Sequence, residues 1–289
     1  MLFSFVILHY RAVDETKKCV ESIINTQLNA NYHIVIVDNN SPDNTGDQLD
    51  LLYKNVENIT IIHNEKNEGF ARGNNVGFKY SKYVLKADFI ILQNNDTQIL
   101  QKNFQELVLN EYNSSRFAVL GPYIKTPNPP FNSNPGADKI PDERKIRKRL
   151  FHHRLLLYFN YLYIDSLLLK IFQLFPSVES APNIDITKNK KYNTTLHGSF
   201  LVFSPDYIKL FDGLNERTFL FGEEELLFMR IIKNNLKSVY LPDVVIFHQE
   251  DASTNAEFKG ELKKRRFLYK CKIQSFKVMI DEIKSMHHV

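Results

Sequence analysis

The chain opens on a short apolar run at residues 3–8 and then changes period. Cys19, Val20, Ile23 and Ile24 recur at helical spacing across 14–26, the one-sided stripe of an amphipathic helix. A second run at 33–37 ends at Asp38, helical spacing resumes over 49–53, and a third run follows at 59–62. Next come a helix predicted over 71–83 behind the turn NEGF, a strand at 89–92, a helix at 103–112 and a strand at 117–120. Short strands alternating with helices predict βαβ units and a Rossmann-like α/β fold, its mostly parallel sheet flanked by helices. In such sheets ligands bind beyond the carboxyl ends of the strands. The strand ends are therefore the places to look for chemistry.

The alternation stops after Gly121. Residues 126–142 are rich in Pro and Asn and form no regular element. Residues 143–175 begin with a basic stretch in which Arg144, Lys145, Arg147, Lys148, Arg149 and Arg154 fall within twelve positions, and continue crowded with Leu, Tyr and Phe. Strand-like order returns at 194–203, a helix is predicted at 223–234 and a strand at 239–247, and a basic helical tail contains KKRRFLYKCK. This divides the chain into an α/β half at 1–125, a helical insertion at 126–193, a second half at 194–256 and a tail at 257–289.

Composition narrows the class. The 289 residues are 43% hydrophobic and 24% charged, as in globular proteins, and the net charge of +4 is too weak for a dedicated nucleic-acid binder. Cys19 and Cys271 lie far apart and match no metal spacing, which fits a reduced, cytoplasmic setting. The first residues carry no basic leader and no small-residue cleavage site, so no secretory signal is expected. The opening run is also too short to span a bilayer.

Five stretches carry candidate chemistry, each with a plain structural alternative. Asp38 in VIVDNNSPDNT could accept hydrogen bonds from a base or ribose, or build a turn with Asn40 and Ser41. In NEGFARGNNVGF, Gly69 and Gly73 allow close backbone approach, and a helix N-terminus with Arg72 favours an anion; a simple strand-to-helix connection reads equally well. In ILQNNDTQIL, Asn94 and Asp96 leave the same face of an extended chain, and Asp96 offers a hard oxygen to Mg²⁺ or Mn²⁺. Asn-Asn-Asp is also ordinary turn chemistry. FLFGEEELLFMRI places three glutamates at a helix start, where the macrodipole favours them regardless of function; Leu226, Leu227 and Ile231 would seat that helix on the core. His248 ends the last strand, where a histidine is either a ligand or simply a hydrogen-bonded surface residue, and no second histidine sits nearby in sequence to make a zinc site.

Taken in order, FVILHYR, VIVDNNSPDNT, NEGFARGNNVGF, ILQNNDT, the long block from His197 to Ile231 and VVIFHQEDAS resemble the inverting family 2 glycosyltransferases of GT-A fold, across most of residues 3–253 apart from the 126–190 insertion. The resemblance implies that His9, Tyr10 and Arg11 enclose a nucleotide base and that Asp38, with Asn40 beside it, contacts that base. It places the turn from Gly69 through Arg72 to Asn75 beside base, ribose or diphosphate. Asn94, Asn95 and Asp96 fall on the family's metal motif, and His248 on a histidine that helps hold metal or diphosphate. Gly198 and Ser199 lie where donor sugar and acceptor meet. Glu224 falls on the catalytic base, with Glu223 close enough to compete for the role. Asn94 replaces the motif's first aspartate, a variant found in bacterial rhamnosyltransferase-like members.

The implied reaction is sugar transfer with inversion from a UDP- or dTDP-linked donor to a hydroxyl of a glycan or lipid-linked acceptor, with Mn²⁺ or Mg²⁺ as cofactor. The resemblance suggests bacterial surface polysaccharide, capsule or O-antigen, as the product. Two alternatives stay open: a degenerate sugar-nucleotide-binding scaffold, and a nucleotidyltransferase, whose glycine-rich loop LHYRAVDET lacks. The 143–175 segment reads as a surface that lies on the inner membrane or forms a homodimer, against a cap packed on the core.

Overall fold

The computed structural model describes residues 1–26, 31–127, 132–166, 169, 188–249 and 260–287. Residues 167–168 and 170–175 of the predicted 143–175 segment, and residues 250–259, lie outside the described residues.

The first half follows the predicted alternation. Strands β1 (Leu2–His9), β2 (Asn31–Asp38), β3 (Ile59–His63) and β4 (Phe89–Asn94) are joined by helices α1 (Val13–Asn25), α2 (Thr45–Tyr53) and α3 (Gly69–Tyr83). After β4 come a three-residue strand β5 (Thr97–Ile99), which the sequence reading passes over, helix α4 (Phe104–Ser115) and strand β6 (Val119–Lys125). Helix α5 (Glu143–Tyr161) fills the described insertion. Strand β7 (Lys191–Tyr192), strand β8 (Phe200–Phe203), helices α6 (Pro205–Leu210) and α7 (Glu223–Lys233), strand β9 (Ser238–His248) and the long helix α8 (Glu261–His287) complete the chain. Residues 194–199, predicted extended, precede β8 without joining a strand.

The nine strands found among the described residues form one sheet in the order β3-β2-β1-β4-β8-β6-β9-β5, with β7 added to β9. β3, β2, β1 and β4 run parallel. β8 is antiparallel to β4 and β6, so its first residue sits beside the last residues of β4. Strand alternation sorts the core into two layers. Phe3, Phe5 and Ile7 face Cys19, Val20 and Ile23 of α1 and Phe104 and Val108 of α4. Val6, Val35, Val37, Ile90 and Leu92 face Ala71 and Phe78 of α3 together with Leu227 and Ile231 of α7.

A third cluster is purely helical: Ile146 and Leu150 of α5, Leu226 and Met229 of α7, and Val278, Met279, Ile280 and Ile283 of α8. Helix α7 is thus double-sided. Leu227 and Ile231 seat it on the sheet as expected, whereas Leu226 packs on the tail. One face of α5 therefore does cap the fold, by way of α8. At its far end the fully buried Asp165 receives Arg265 through Nε at 2.7 Å and Nη2 at 3.3 Å, with Asn160 and the Tyr269 hydroxyl on the same carboxylate. Removing one partner from such a buried group is costly, so this cluster pins α5 to α8.

Candidate functional site

Parallel pairing places the ends of β1, β2, β3 and β4 in a row: His9 pairs with Asp38 and Asp38 with His63, while Leu8 pairs with Asn94. The antiparallel β8 brings Ser199 to the same edge, where its carbonyl accepts the Asn94 N–H at 2.9 Å. β9 ends with His248 paired to Thr97, next to Asp96. Residues 9, 38, 63, 94, 96, 198 and 248 thus meet because the sheet is threaded this way.

At the ends of β1, β2 and β3, polar groups satisfy one another. Asp38 is buried, accepts the Ser41 N–H at 3.1 Å, and lies 3.3 Å from His63 Nδ1; His63 Nε2 reaches Asp50 at 2.9 Å. Although partial burial opposes it, hydrogen bonding to Asp38 and Asp50 raises the His63 pKa. Gly46 gives this carboxylate room, since a Cβ there would sit 2.5 Å from Asp38 Oδ2. His9 is fully buried, with Nδ1 on Thr16 at 2.7 Å and Nε2 on Thr45 at 3.0 Å. Burial lowers its pKa to about 4, so the ring is neutral at physiological pH. His9 is therefore a strut beneath the site rather than part of its surface. Tyr10, Arg11 and Asn40 line the rim, where Arg11 stands over the Tyr10 ring at 5.7 Å and its N–H donates to Ser41 Oγ. Arg11 and Asn40 both have positive φ.

Asn39 and His63 are absent from the sequence reading. Asn39 is buried and organises the turn before α3. Its amide donates to Asn67 Oδ1 at 3.0 Å and the Gly69 carbonyl at 3.3 Å, and its oxygen accepts from Asn64 and the Glu68 N–H, both at 3.0 Å. His63 ends β3 as Asp38 ends β2, so the strand-end rule itself would have found it.

The α3 turn has another partner than the one expected from sequence. The Phe70 N–H donates to the Phe219 carbonyl at 2.8 Å, and a Cβ on Gly69 (φ +79°) would lie 2.4 Å from that oxygen. Arg72 Nε donates to the Glu216 carbonyl at 2.9 Å. Asn75, nearly inaccessible, donates to the Leu214 carbonyl at 3.0 Å and to Glu216 at 3.1 Å and accepts the Leu214 N–H at 2.7 Å. Gly69, Arg72 and Asn75 thus hold the 214–219 loop. Both hydrogens of the Asn75 amide are thereby engaged within the protein.

At the Asn-Asn-Asp stretch the three side chains separate. Asn95 turns inward, its amide donating to Thr16 Oγ1 at 3.1 Å. That hydroxyl also serves His9, so Asn95 belongs to the buried strut. The Asn94 carbonyl accepts the Thr97 hydroxyl at 2.7 Å, and its side chain stays half-buried at the rim. Asp96 and His248 are both buried, with Asp96 Oδ1 3.3 Å from His248 Nε2. Neither Asp96 Oδ1 nor His248 Nδ1 has a hydrogen bond. Buried polar atoms without partners are rare enough to demand an explanation.

Across from this pair stands Glu224. Its Oε1 accepts the Gly198 N–H at 2.6 Å and lies 3.9 Å from His197 Nε2. The side chain keeps 35% of its exposure, opening on the cleft. Desolvation nevertheless pushes its pKa up to about 7, with Glu225 and Glu223 adding to the rise and the Gly198 bond opposing it. Glu223 is more deeply buried; its pKa is also raised by desolvation, and its Oε1 has no partner. His197, missed in the sequence, links the two sides: Nδ1 meets Ser199 Oγ at 2.9 Å, and its ring lies 5.8 Å from that of His248. Burial and the neighbouring His248 lower its pKa to about 4.

Could this site hold a divalent metal? Among the described residues no three His, Cys, Asp or Glu side chains converge as a metal cage. The Asp96 oxygen, which makes no hydrogen bond, fits the single carboxylate of a Mg²⁺ or Mn²⁺ site completed by diphosphate oxygens and water, with the His248 nitrogen 3.3 Å away as a second donor.

The sheet edge thus holds one carboxylate–imidazole pair and one glutamate with its pKa raised to about 7, beyond the carboxyl ends of the parallel strands where α/β folds bind ligands. Residues 4–172 match the family described as glycosyl transferase family 2, and the chain belongs to that family. It is 26% identical over 122 residues to glycosyltransferase GlyG of Streptococcus pneumoniae serotype 4, a match covering 42% of this chain and 39% of GlyG. The fold resembles S. aureus TarS 1-349, with a TM-score of 0.55 at 17% identity over 86% of this chain and 60% of that one. The complex of TarS 1-349 with UDP-GlcNAc aligns at a TM-score of 0.53 and 16% identity, covering 99% of this chain and 72% of that one. The fold is accordingly the GT-A arrangement of this family, and the chain spans less than two thirds of the length of GlyG and of the first of these TarS structures.

Proposed function

We propose that this protein is an inverting glycosyltransferase using a nucleoside diphosphate sugar, with Glu224 as the base. The observation that carries this is a carboxylate with its pKa near 7, fixed by the Gly198 N–H and facing the Asp96–His248 pair. A general base works best when its pKa lies near the operating pH.

In the proposed step, Glu224 takes the proton from an acceptor hydroxyl as that oxygen bonds to the anomeric carbon. The bond from that carbon to the diphosphate breaks on the opposite face, which inverts the configuration. Asp96 and His248 would hold Mn²⁺ or Mg²⁺, which when bound neutralises charge on the departing diphosphate. Asp38, fixed by His63, offers an acceptor to the base, and Arg11 and Tyr10 close over it. UDP is the first nucleotide to test, because TarS 1-349 binds UDP and UDP-GlcNAc; dTDP, and the deoxyhexoses suggested by Asn94, come next. The acceptor class is a glycan or lipid-linked hydroxyl.

A screen of nucleotide sugars by thermal shift, with and without Mn²⁺, identifies the donor through mass action. Transfer assays on Glu224→Gln then test the base. Loss of transfer with donor binding kept supports the reading, and full transfer in that variant would overturn it.

A further inference from the structure

Helix α5 has two stripes. Ile146, Leu150, Leu156 and Asn160 are buried against the rest of the molecule. At 100° per residue the opposite stripe runs Arg144, Lys148, Phe151, Leu155, Tyr158 and Leu162. Its first turns are exposed and cationic. Its later turns are apolar: Phe151 is 69% exposed, Tyr158 60% and Leu162 49%. Beyond the helix, Tyr163 at 72% and Ile164 at 44% extend the patch. Elsewhere exposed apolar side chains mostly occur one or two at a time, as at Leu51 and Tyr83.

Charge surrounds this patch. Helix α5 carries six basic residues against the single acid Glu143, a net of +5 with His neutral. Lys263, Lys270, Lys277 and Lys284 give α8 an exposed lysine every seventh residue. Tyr161, 49% exposed, lies beneath Arg266 at 4.2 Å and near Lys270 at 6.0 Å. Aromatic rings with cations beside them suit a boundary that is apolar on one side and wet and negative on the other. Two copies of this chain meeting through α5 would press +5 against +5, which disfavours a symmetric dimer here. No helix among the described residues is long and apolar enough to cross a membrane.

We infer that the outer face of α5 docks on the surface of an anionic bilayer, with Phe151, Tyr158 and Leu162 entering the headgroup region and Arg144 and Lys148 contacting lipid phosphates. The helix lies in the interface and α8 backs it, so docking requires no refolding of the α/β body. Each basic residue near an anionic surface is worth about fivefold in binding, and the apolar part persists at high salt.

Co-sedimentation of the full chain with phosphatidylcholine vesicles, with and without phosphatidylglycerol, tests this. Binding is expected only to the anionic vesicles. It should fall about fivefold for each charge lost in Arg144→Ser/Lys148→Ser, and salt-resistant binding should be lost in Phe151→Ser/Tyr158→Ser. All four side chains are exposed, and unchanged circular dichroism checks that the variants fold. Equal binding by wild type and both variants would overturn the inference, as would absence of binding. Patch-dependent dimerisation, or patch-dependent binding to nucleic acid in place of vesicles, would reassign the surface.

Discussion

The two sides of the cleft differ in how far their polar atoms are satisfied. On the Asp38 side, His9, Thr16, Thr45 and Asn95 form one hydrogen-bonded network, while His63 is held by Asp38 and Asp50 and Asn39 by the turn before α3, leaving a shape set before any ligand arrives. On the Glu224 side, Asp96 Oδ1, His248 Nδ1 and Glu223 Oε1 are buried without a hydrogen bond, and Asp96 Oδ1 meets only His248 Nε2 at 3.3 Å. A closed network holds geometry; orphaned atoms store unsatisfied interactions that a metal, diphosphate or acceptor can complete. The first side should tolerate change poorly in stability, and the second poorly in turnover.

That contrast breaks most sharply at Glu224. Glu224→Gln should lower kcat about 10²–10⁴-fold with donor Kd and Tm nearly unchanged, whereas Glu223→Gln should leave most turnover; the reverse ranking in steady-state assays would move the base to Glu223. Next in size is the ligand test. At Mn²⁺ and UDP concentrations near 100 times Kd, binding should add about 2.7 kcal/mol of stability, and Asp96→Asn should abolish the Mn²⁺-dependent part of the Tm rise.

On the closed side, Asn75→Ala strands the Leu214 N–H and carbonyl and should cost about 1–3 kcal/mol in denaturant unfolding, with donor affinity little altered. A large loss of donor affinity at unchanged stability would return Asn75 to the nucleotide.

The pH effects are smaller and of opposite sign. Glu224, raised to about 7 from 4.5, should make turnover climb as pH rises through 7, because the base must be ionised. Its raised pKa also favours the folded state at low pH, and that contribution is lost between 4.5 and 7. His9, lowered from 6.5 to about 4, behaves the other way. The unfolded chain takes up a proton first, so stability falls as pH drops from 6.5 towards 4. The stability difference between wild type and His9→Asn should shrink over that interval in denaturant titrations.

The sheet was legible because short continuous apolar runs and stripes of period 3.6 are local signals, and the strand-end rule then led to Asp38, Asp96 and His248. β5 escaped because three residues carry no periodicity. Asn75 and Gly69 read as ligands because a glycine-rich turn before a helix suggests an anion site; their actual partner, the 214–219 loop, lies about 140 residues away and leaves no mark in the local sequence. Asn95 sits in the motif but faces Thr16, a matter of side-chain direction that spacing cannot show. His197 had a local signal, two residues before Ser199, yet its position between Glu224 and His248 depends on three separate strands and helices.

The placement of β9 has a consequence for how the protein comes into being. β5 pairs with β9, and β9 lies between β5 and β6. While a ribosome is still making the first two hundred residues, the strand just after Asp96 has no neighbour to close against, and the imidazole that will face that carboxylate does not yet exist. The β1–β4 framework can assemble early, but the Asp96–His248 edge closes only when residues near 248 thread into the sheet. Contacts of such long sequence separation are slow to form. Activity should therefore appear late in refolding, after the β1–β4 layer has already protected its amides.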